Sequence, residues 1–87
     1  MFYNRVLTNS FLQDIKTVKK NALLLERLRK KLDEIVQHPE HYLMKKYDLK
    51  GKRGVHVGSY VILFEIVGND VVFLGFKHHD YAYYWLP

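Results

Sequence analysis

There is no cysteine in these 87 residues. That excludes a disulfide framework and a thiolate metal site, and it suits a reducing compartment. Proline occurs only twice and tryptophan once. No apolar run approaches the ~20 residues that a membrane-spanning helix needs. The N-terminus, Met1-Phe2-Tyr3-Asn4-Arg5, lacks the charged-then-apolar build of a signal peptide. Repeats, low-complexity segments, linkers, a phosphate loop, a Ser-His-Asp spacing and a nucleotide fingerprint are also missing. The expectation is one small domain spanning 1–87, soluble and cytoplasmic, with a modest core.

What the chain does have is positive charge. The formal net charge is +5 and the pI is near 9.5. A small basic domain points to an anionic partner such as nucleic acid, an acidic protein or a membrane surface, although charge of this size also serves solubility. Position favours a partner. Lys45, Lys46, Lys50, Lys52 and Arg53 fall within nine residues, with only Asp48 against them. His56 follows closely, and Lys77, His78 and His79 come later.

Met1 to Leu7 reads as a first strand. Thr8 and Asn9 are candidate N-caps for a helix starting near Ser10, because their side chains accept from free amides of a first turn. Phe11, Ile15 and Val18 form an apolar stripe at helical spacing. Asn21 caps or interrupts, and a second helix runs from about Ala22 to Gln37 with Leu24, Leu28, Leu32, Ile35 and Val36 on one face. Glu26 and Lys30 are a favourable i,i+4 pair. Pro39 ends the helix, because the residue before proline resists the α region. So short a connection predicts a helical hairpin lying on a sheet. Arg27, Arg29, Lys30 and Lys31 read as a solvated outer face, with a secondary RNA contact as the alternative. His38 and His41 have no further ligands nearby in sequence, so no metal and no cofactor are expected.

From Leu49 to Tyr83, β-branched and aromatic runs separated by turn signals predict a three-strand meander. Gly58-Ser59 and Gly68-Asn69 each fit a two-residue hairpin loop of type II′. With Gly58 and Ser59 as loop residues, Val57 faces Tyr60, His56 faces Val61 and Val55 faces Ile62. Faces alternate along a strand. One face then carries Val55, Val57, Tyr60, Ile62 and Phe64, and is core. The other carries Lys52, Gly54, His56, Val61, Leu63 and Glu65, and is mixed. Glu65 is expected in a structural ion pair. The tail from Tyr81 to Pro87 is rich in aromatics, and Tyr84 and Trp85 are expected to pack back on the sheet.

The β-α-α-β-β-β order, the Leu49-Lys50-Gly51 lead-in, the Val57-Gly58-Ser59-Tyr60 turn and the His-containing end before Tyr83 together resemble the RelE/ParE superfamily of toxin–antitoxin toxins. The resemblance spans the whole chain and is strongest to the RelE branch, including archaeal members with an aromatic tail ending in proline. It implies an α+β fold, with a helical hairpin on a largely antiparallel four-stranded sheet. It also implies a ribosome-dependent endoribonuclease that cuts mRNA in the A site, in contact with 16S rRNA, and a RelB-like antitoxin that silences it. Basic positions on the strand before the glycine turn match Gly54 and His56. The arginine that usually follows the turn tyrosine is Val61 here. Lys77 matches a basic catalytic position, Tyr83 the C-terminal tyrosine, and His78 or His79 the histidine some members carry before it.

Those residues suit RNA cleavage without a metal. The 2′-OH of RNA is the nucleophile, so the site needs a base, an acid for the leaving 5′-oxygen, and cations for the pentavalent phosphate. Histidine titrates near neutrality. The expectation assigns His78 or His79 to acid or base and His56 to its counterpart or to phosphate. Lys77 would stabilise charge and Tyr83 would orient the nucleotide. Lys45, Lys46, Lys50, Lys52 and Arg53 would hold RNA phosphates. All of this expects the imidazoles and cations of the two segments on one wall of the sheet. The alternatives are a ParE-like inhibitor of DNA gyrase and an inactive relative that keeps only its antitoxin affinity.

Overall fold

Among the described residues, six side chains of the core have no exposed surface: Phe11, Ile35, Ile62, Phe64, Val71 and Phe73. They come from two helices and two strands, which fixes the layering. The computed structural model describes residues 3–42 and 51–81. Its elements are β1 (Asn4–Leu7), α1 (Asn9–Thr17), α2 (Ala22–Gln37), a short 3-10 turn (Pro39–His41), β2 (Lys52–Val57), β3 (Tyr60–Val67) and β4 (Asp70–His78). The sheet order is β1-β4-β3-β2. β1 runs parallel to β4, and the other two pairings are antiparallel. This is the expected α+β fold, with both helices against one face of the sheet.

Local chemistry sets the element ends. The Thr8 side chain caps α1 by accepting from Phe11 N at 3.2 Å. Asn21 caps α2 by accepting from Leu24 N at 3.1 Å. α2 has the expected bounds and stops before His38-Pro39. The Leu24, Leu28, Leu32, Ile35 and Val36 stripe is buried against Val55, Val57, Ile62, Phe64, Val71, Phe73 and Phe76. Apolar area of this size, at about 25 cal/mol per Å², is the main force holding the helices down. Among the described residues no buried side-chain polar atom lacks a hydrogen-bond partner. None of the described helices is long and apolar enough to cross a membrane.

Both hairpins have two-residue loops. Val57 pairs with Tyr60 and Val67 with Asp70. Gly58 and Gly68 sit at φ +59° and +61°, the left-handed region in which a side chain is strained. The β2–β3 register is the expected one, with His56 opposite Val61 and Val55 opposite Ile62. The mixed face holds the Lys52–Glu65 ion pair, 3.9 Å apart.

The third pairing contains an irregularity. Leu63 pairs with Gly75 but Phe64 pairs with Phe73, so Leu74 is an extra residue, a β-bulge. Strict alternation puts Phe73 and Phe76 on opposite faces. The bulge restores both to the helix side, where Phe11 meets Phe73 at 5.5 Å and Phe76 at 6.5 Å between ring centroids.

At the other end, the Tyr3 hydroxyl donates to the Glu40 carboxylate. That hydrogen bond holds Glu40 below the ordinary carboxylate range and raises the Tyr3 phenol. The same physics raises Lys31, whose ammonium donates to Glu34.

Candidate functional site

β1 accompanies β4 only as far as Phe73. Beyond that point the open edge of β4 needs other partners. Thr8 supplies the first, donating from its hydroxyl to the Phe73 carbonyl at 2.8 Å while its backbone N–H donates to the same oxygen at 3.3 Å. Asp14 supplies the second. Its Oδ2 accepts the Phe76 N–H at 2.9 Å, and its Oδ1 accepts from the Lys77 ammonium at 2.8 Å. Asp14 is 8% exposed, the one charged residue among the buried described residues.

This edge is the wall of a hollow of about 360 Å³ lined by Asp14, Thr17, Tyr60, Phe76, Lys77, His78 and Tyr81. The Tyr60 ring stacks on Phe76 at 5.0 Å. The His78 ring meets Tyr60 edge-on at 5.4 Å and Tyr81 at 6.4 Å. His79 is tied to the β2–β3 turn. Its backbone N–H donates to the Ser59 carbonyl at 2.8 Å, and its ring Nδ1 lies 3.1 Å from that oxygen. The rings of His78 and His79 are 4.5 Å apart. Asp80 reaches both, at 3.4 Å from His78 Nδ1 and 3.0 Å from His79 Nε2.

The sequence expectation of a single wall needs correction. His56 is exposed on the outer face of β2, and by register its neighbours across the sheet are Val61 and then Lys77. His78 pairs with Tyr60 and therefore lies on the helix face. The bulge at Leu74 is the physical reason, since it sets the facing of every later β4 residue. The two segments do meet at one end of the sheet, where β2 ends, β3 begins and β4 ends. They meet around its rim rather than on one side. His56 and Lys77 are two strand spacings apart, about 10 Å between Cα atoms.

Two expected phosphate ligands have other partners. The Arg53 guanidinium donates to the Tyr42 carbonyl at 2.6 Å, and Lys52 faces Glu65. Each still has donors to spare. Val61 is 2% exposed, so the position at which the family resemblance leads one to expect an arginine holds a buried aliphatic side chain. Lys45, Lys46, Lys50, Tyr83, Tyr84 and Trp85 lie outside the described residues.

The sequence reading missed Asp14, Tyr60, Asp80 and Tyr81. Asp14 carried a signal, because it stands three residues after Phe11 and four before Val18, on the apolar stripe of α1. A carboxylate there needs a buried partner.

A sequence profile of the ParE toxin of the type II toxin–antitoxin system parDE matches residues 6–83. This chain belongs to the RelE/ParE toxin family. It is 35% identical over 71 residues to a Methanocaldococcus jannaschii protein named toxin RelE4, covering 78% of this chain and 76% of that one. In fold it is similar to a chain of the Mycobacterium tuberculosis toxin–antitoxin complex RelBE2, with a TM-score of 0.80 at 18% identity, covering 90% of this chain and 99% of that one. It is also similar to a substituted Escherichia coli toxin RelE in the free state, with a TM-score of 0.74 at 17% identity, covering 98% and 92%. As a RelE/ParE toxin the chain is one half of a type II pair. The family includes both RelE-like and ParE-like members.

Proposed function

We propose that this toxin is a metal-independent endoribonuclease that cleaves mRNA in the ribosomal A site and is silenced by a RelB-like antitoxin. The observation that carries the reading is the convergence of Lys77, His78 and His79 at the end of β4, beside a hollow walled by Tyr60, Phe76 and Tyr81. An aromatic-lined hollow suits an unpaired base, and cations at its rim suit the adjoining phosphates.

In this reading one imidazole of the His78–His79 pair takes the proton from the ribose 2′-OH. The 2′-oxygen attacks the adjacent phosphorus, forming a 2′,3′-cyclic phosphate as the bond to the 5′-oxygen breaks. The leaving oxygen takes a proton from a second acid, the other member of the pair or His56. Lys77 stabilises the extra charge of the pentavalent phosphate. Its ammonium is held by Asp14 at 2.8 Å, so its position is set before RNA arrives. Tyr83 orients the nucleotide, while Lys45, Lys46, Lys50, Lys52 and Arg53 track the phosphates and 16S rRNA. The single domain is then toxin throughout and works in the cytoplasm.

The test is cleavage of mRNA on programmed ribosomes by H78Q, H79Q, K77M and Y83F, each made separately. At least one histidine variant should lose about 10²-fold or more, the usual contribution of a general acid or base. Wild-type cleavage by all four overturns the assignment.

One position favours a second reading, inhibition of DNA gyrase by a toxin of ParE type. Val61 offers no cation where the RelE branch carries an arginine. Loss of gyrase supercoiling activity, with mRNA left intact, decides for it.

A further inference from the structure

His78, His79 and Asp80 each present one metal-ligating atom, and the three atoms lie within 4.8 Å of one another. We infer that they form a three-donor site for a late first-row divalent cation, of the Zn²⁺, Ni²⁺ or Cu²⁺ class. The site does not depend on the nuclease reading. Only its consequence for cleavage rests on that reading.

The chemistry of His79 makes the argument. The Ser59 carbonyl can only accept a hydrogen bond, so the Nδ1 facing it at 3.1 Å carries the hydrogen. In the neutral ring the lone pair is then on Nε2. That nitrogen is turned toward Asp80 Oδ1, 3.0 Å away. A lone pair and a carboxylate oxygen this close need something positive between them. A proton fulfils that requirement, and so does a metal ion.

The His79–Asp80 dimensions suit the exchange, and the wider span of the three ligand atoms, within 4.8 Å, closes by rotation of the side chains. Bonds of about 2.0–2.1 Å to a tetrahedral zinc place two ligand atoms roughly 3.3 Å apart. The Nε2–Oδ1 separation therefore needs to open by only a few tenths of an ångström. His78 Nδ1 is 3.4 Å from the other Asp80 oxygen and at present accepts the Asp80 N–H at 3.2 Å. Coordination exchanges that long hydrogen bond for a metal bond. An imidazole donating its second nitrogen to a backbone carbonyl is the arrangement typical of metal-bound histidine, because it fixes both tautomer and ring orientation. Here the Ser59 carbonyl is itself held, by the His79 backbone N–H at 2.8 Å. Imidazole and carboxylate donors select the borderline cations at the stronger end of the divalent series over Mg²⁺ or Ca²⁺. Two of the three residues are exposed, so further positions stay open to water.

A second histidine pair provides an internal control. His38 and His41 stack face to face, with ring centroids 4.8 Å apart and 8° between planes.

If the imidazoles bind a cation, their lone pairs are unavailable for proton transfer. Zinc should then inhibit the cleavage proposed above.

The experiment is isothermal titration of untagged full-length protein with ZnCl₂, alongside ¹⁵N chemical shifts of the histidine side chains. The expected result is one equivalent bound, with the His79 Nε2 resonance moving. Affinity should fall at least tenfold in H79Q and in D80N, and stay unchanged in the H38Q/H41Q double variant. Absence of binding up to millimolar zinc, a His79 ring that does not respond, or loss of binding in H38Q/H41Q overturns the site. The ¹⁵N readout needs no variant, so a misfolded substitution cannot mask the answer. Zinc binding by a protein that cleaves no mRNA upholds the site and removes only the inhibition. Cleavage by a protein that binds no zinc does the reverse.

Discussion

Asp14 and Lys77, 63 positions apart in the chain, form an ion pair of 2.8 Å across the open edge of β4. The same carboxylate accepts the Phe76 N–H through its other oxygen. One buried side chain thus closes the sheet edge and positions a cation of the candidate site.

These two duties separate on mutation. D14A leaves the Phe76 N–H without its acceptor, which costs about 1–3 kcal/mol for a buried group. D14N keeps an acceptor oxygen and should lose roughly half as much. Urea denaturation measures both. The Lys77 side chain is 36% exposed, but that of its partner Asp14 is only 12% exposed and still holds the Phe76 N–H, so K77M should be measurably destabilising yet cost less than D14A. Equal losses in D14A and K77M would contradict the edge-closing role.

The Tyr3–Glu40 contact predicts a stability profile with two shoulders. Glu40 is lowered from 4.5 by the Tyr3 hydrogen bond, so its contribution is fully present above that value and is lost as pH falls through the lower folded pKa. Tyr3 is raised from 10.0 by the same bond, so its contribution is present below 10.0 and is lost as pH climbs through the higher folded pKa. Y3F should therefore be less stable than wild type between these limits and converge with it in acid. Carboxyl NMR titration of Y3F should show Glu40 moving up toward 4.5. An unmoved Glu40 rules the contact out.

Deleting Leu74 tests the bulge. Without the extra residue either Phe73 or the Phe76–His78 segment must turn outward. Phe76 is 1% exposed and Phe73 fully buried, and losing one such ring from a core costs about 3–5 kcal/mol. The deletion should lower the denaturation midpoint by that amount or abolish cooperative unfolding. L74A, which keeps the residue count, should stay within about 1–2 kcal/mol of wild type.

These contacts also explain what could be read before the structure. The α2 stripe, the Asn21 cap and the Pro39 stop are local signals, and they gave α2 its correct bounds. The Gly58-Ser59 turn fixed the β2–β3 register because the residues beside it alternate clearly. Val71-Val72-Phe73-Leu74-Gly75-Phe76 is apolar throughout, so it carries no phase from which a bulge could be recognised. The facing of Lys77 and His78 was therefore illegible. The place of Asp14 in the site was hidden for a different reason, since its partners are more than 60 residues away. Only its position on an apolar stripe hinted at them.

The strand order β1-β4-β3-β2 has a consequence for biosynthesis. β1 is made first, yet among the described strands its neighbour in the sheet is β4, the last of them to be made. Pairing across that separation is slow, because the intervening chain must be closed before the contact forms. A growing polypeptide that stalls before Asp70 cannot complete the sheet, nor can it bring Asp14 against Lys77. Translation that is cut short inside this gene therefore yields fragments without the assembled rim.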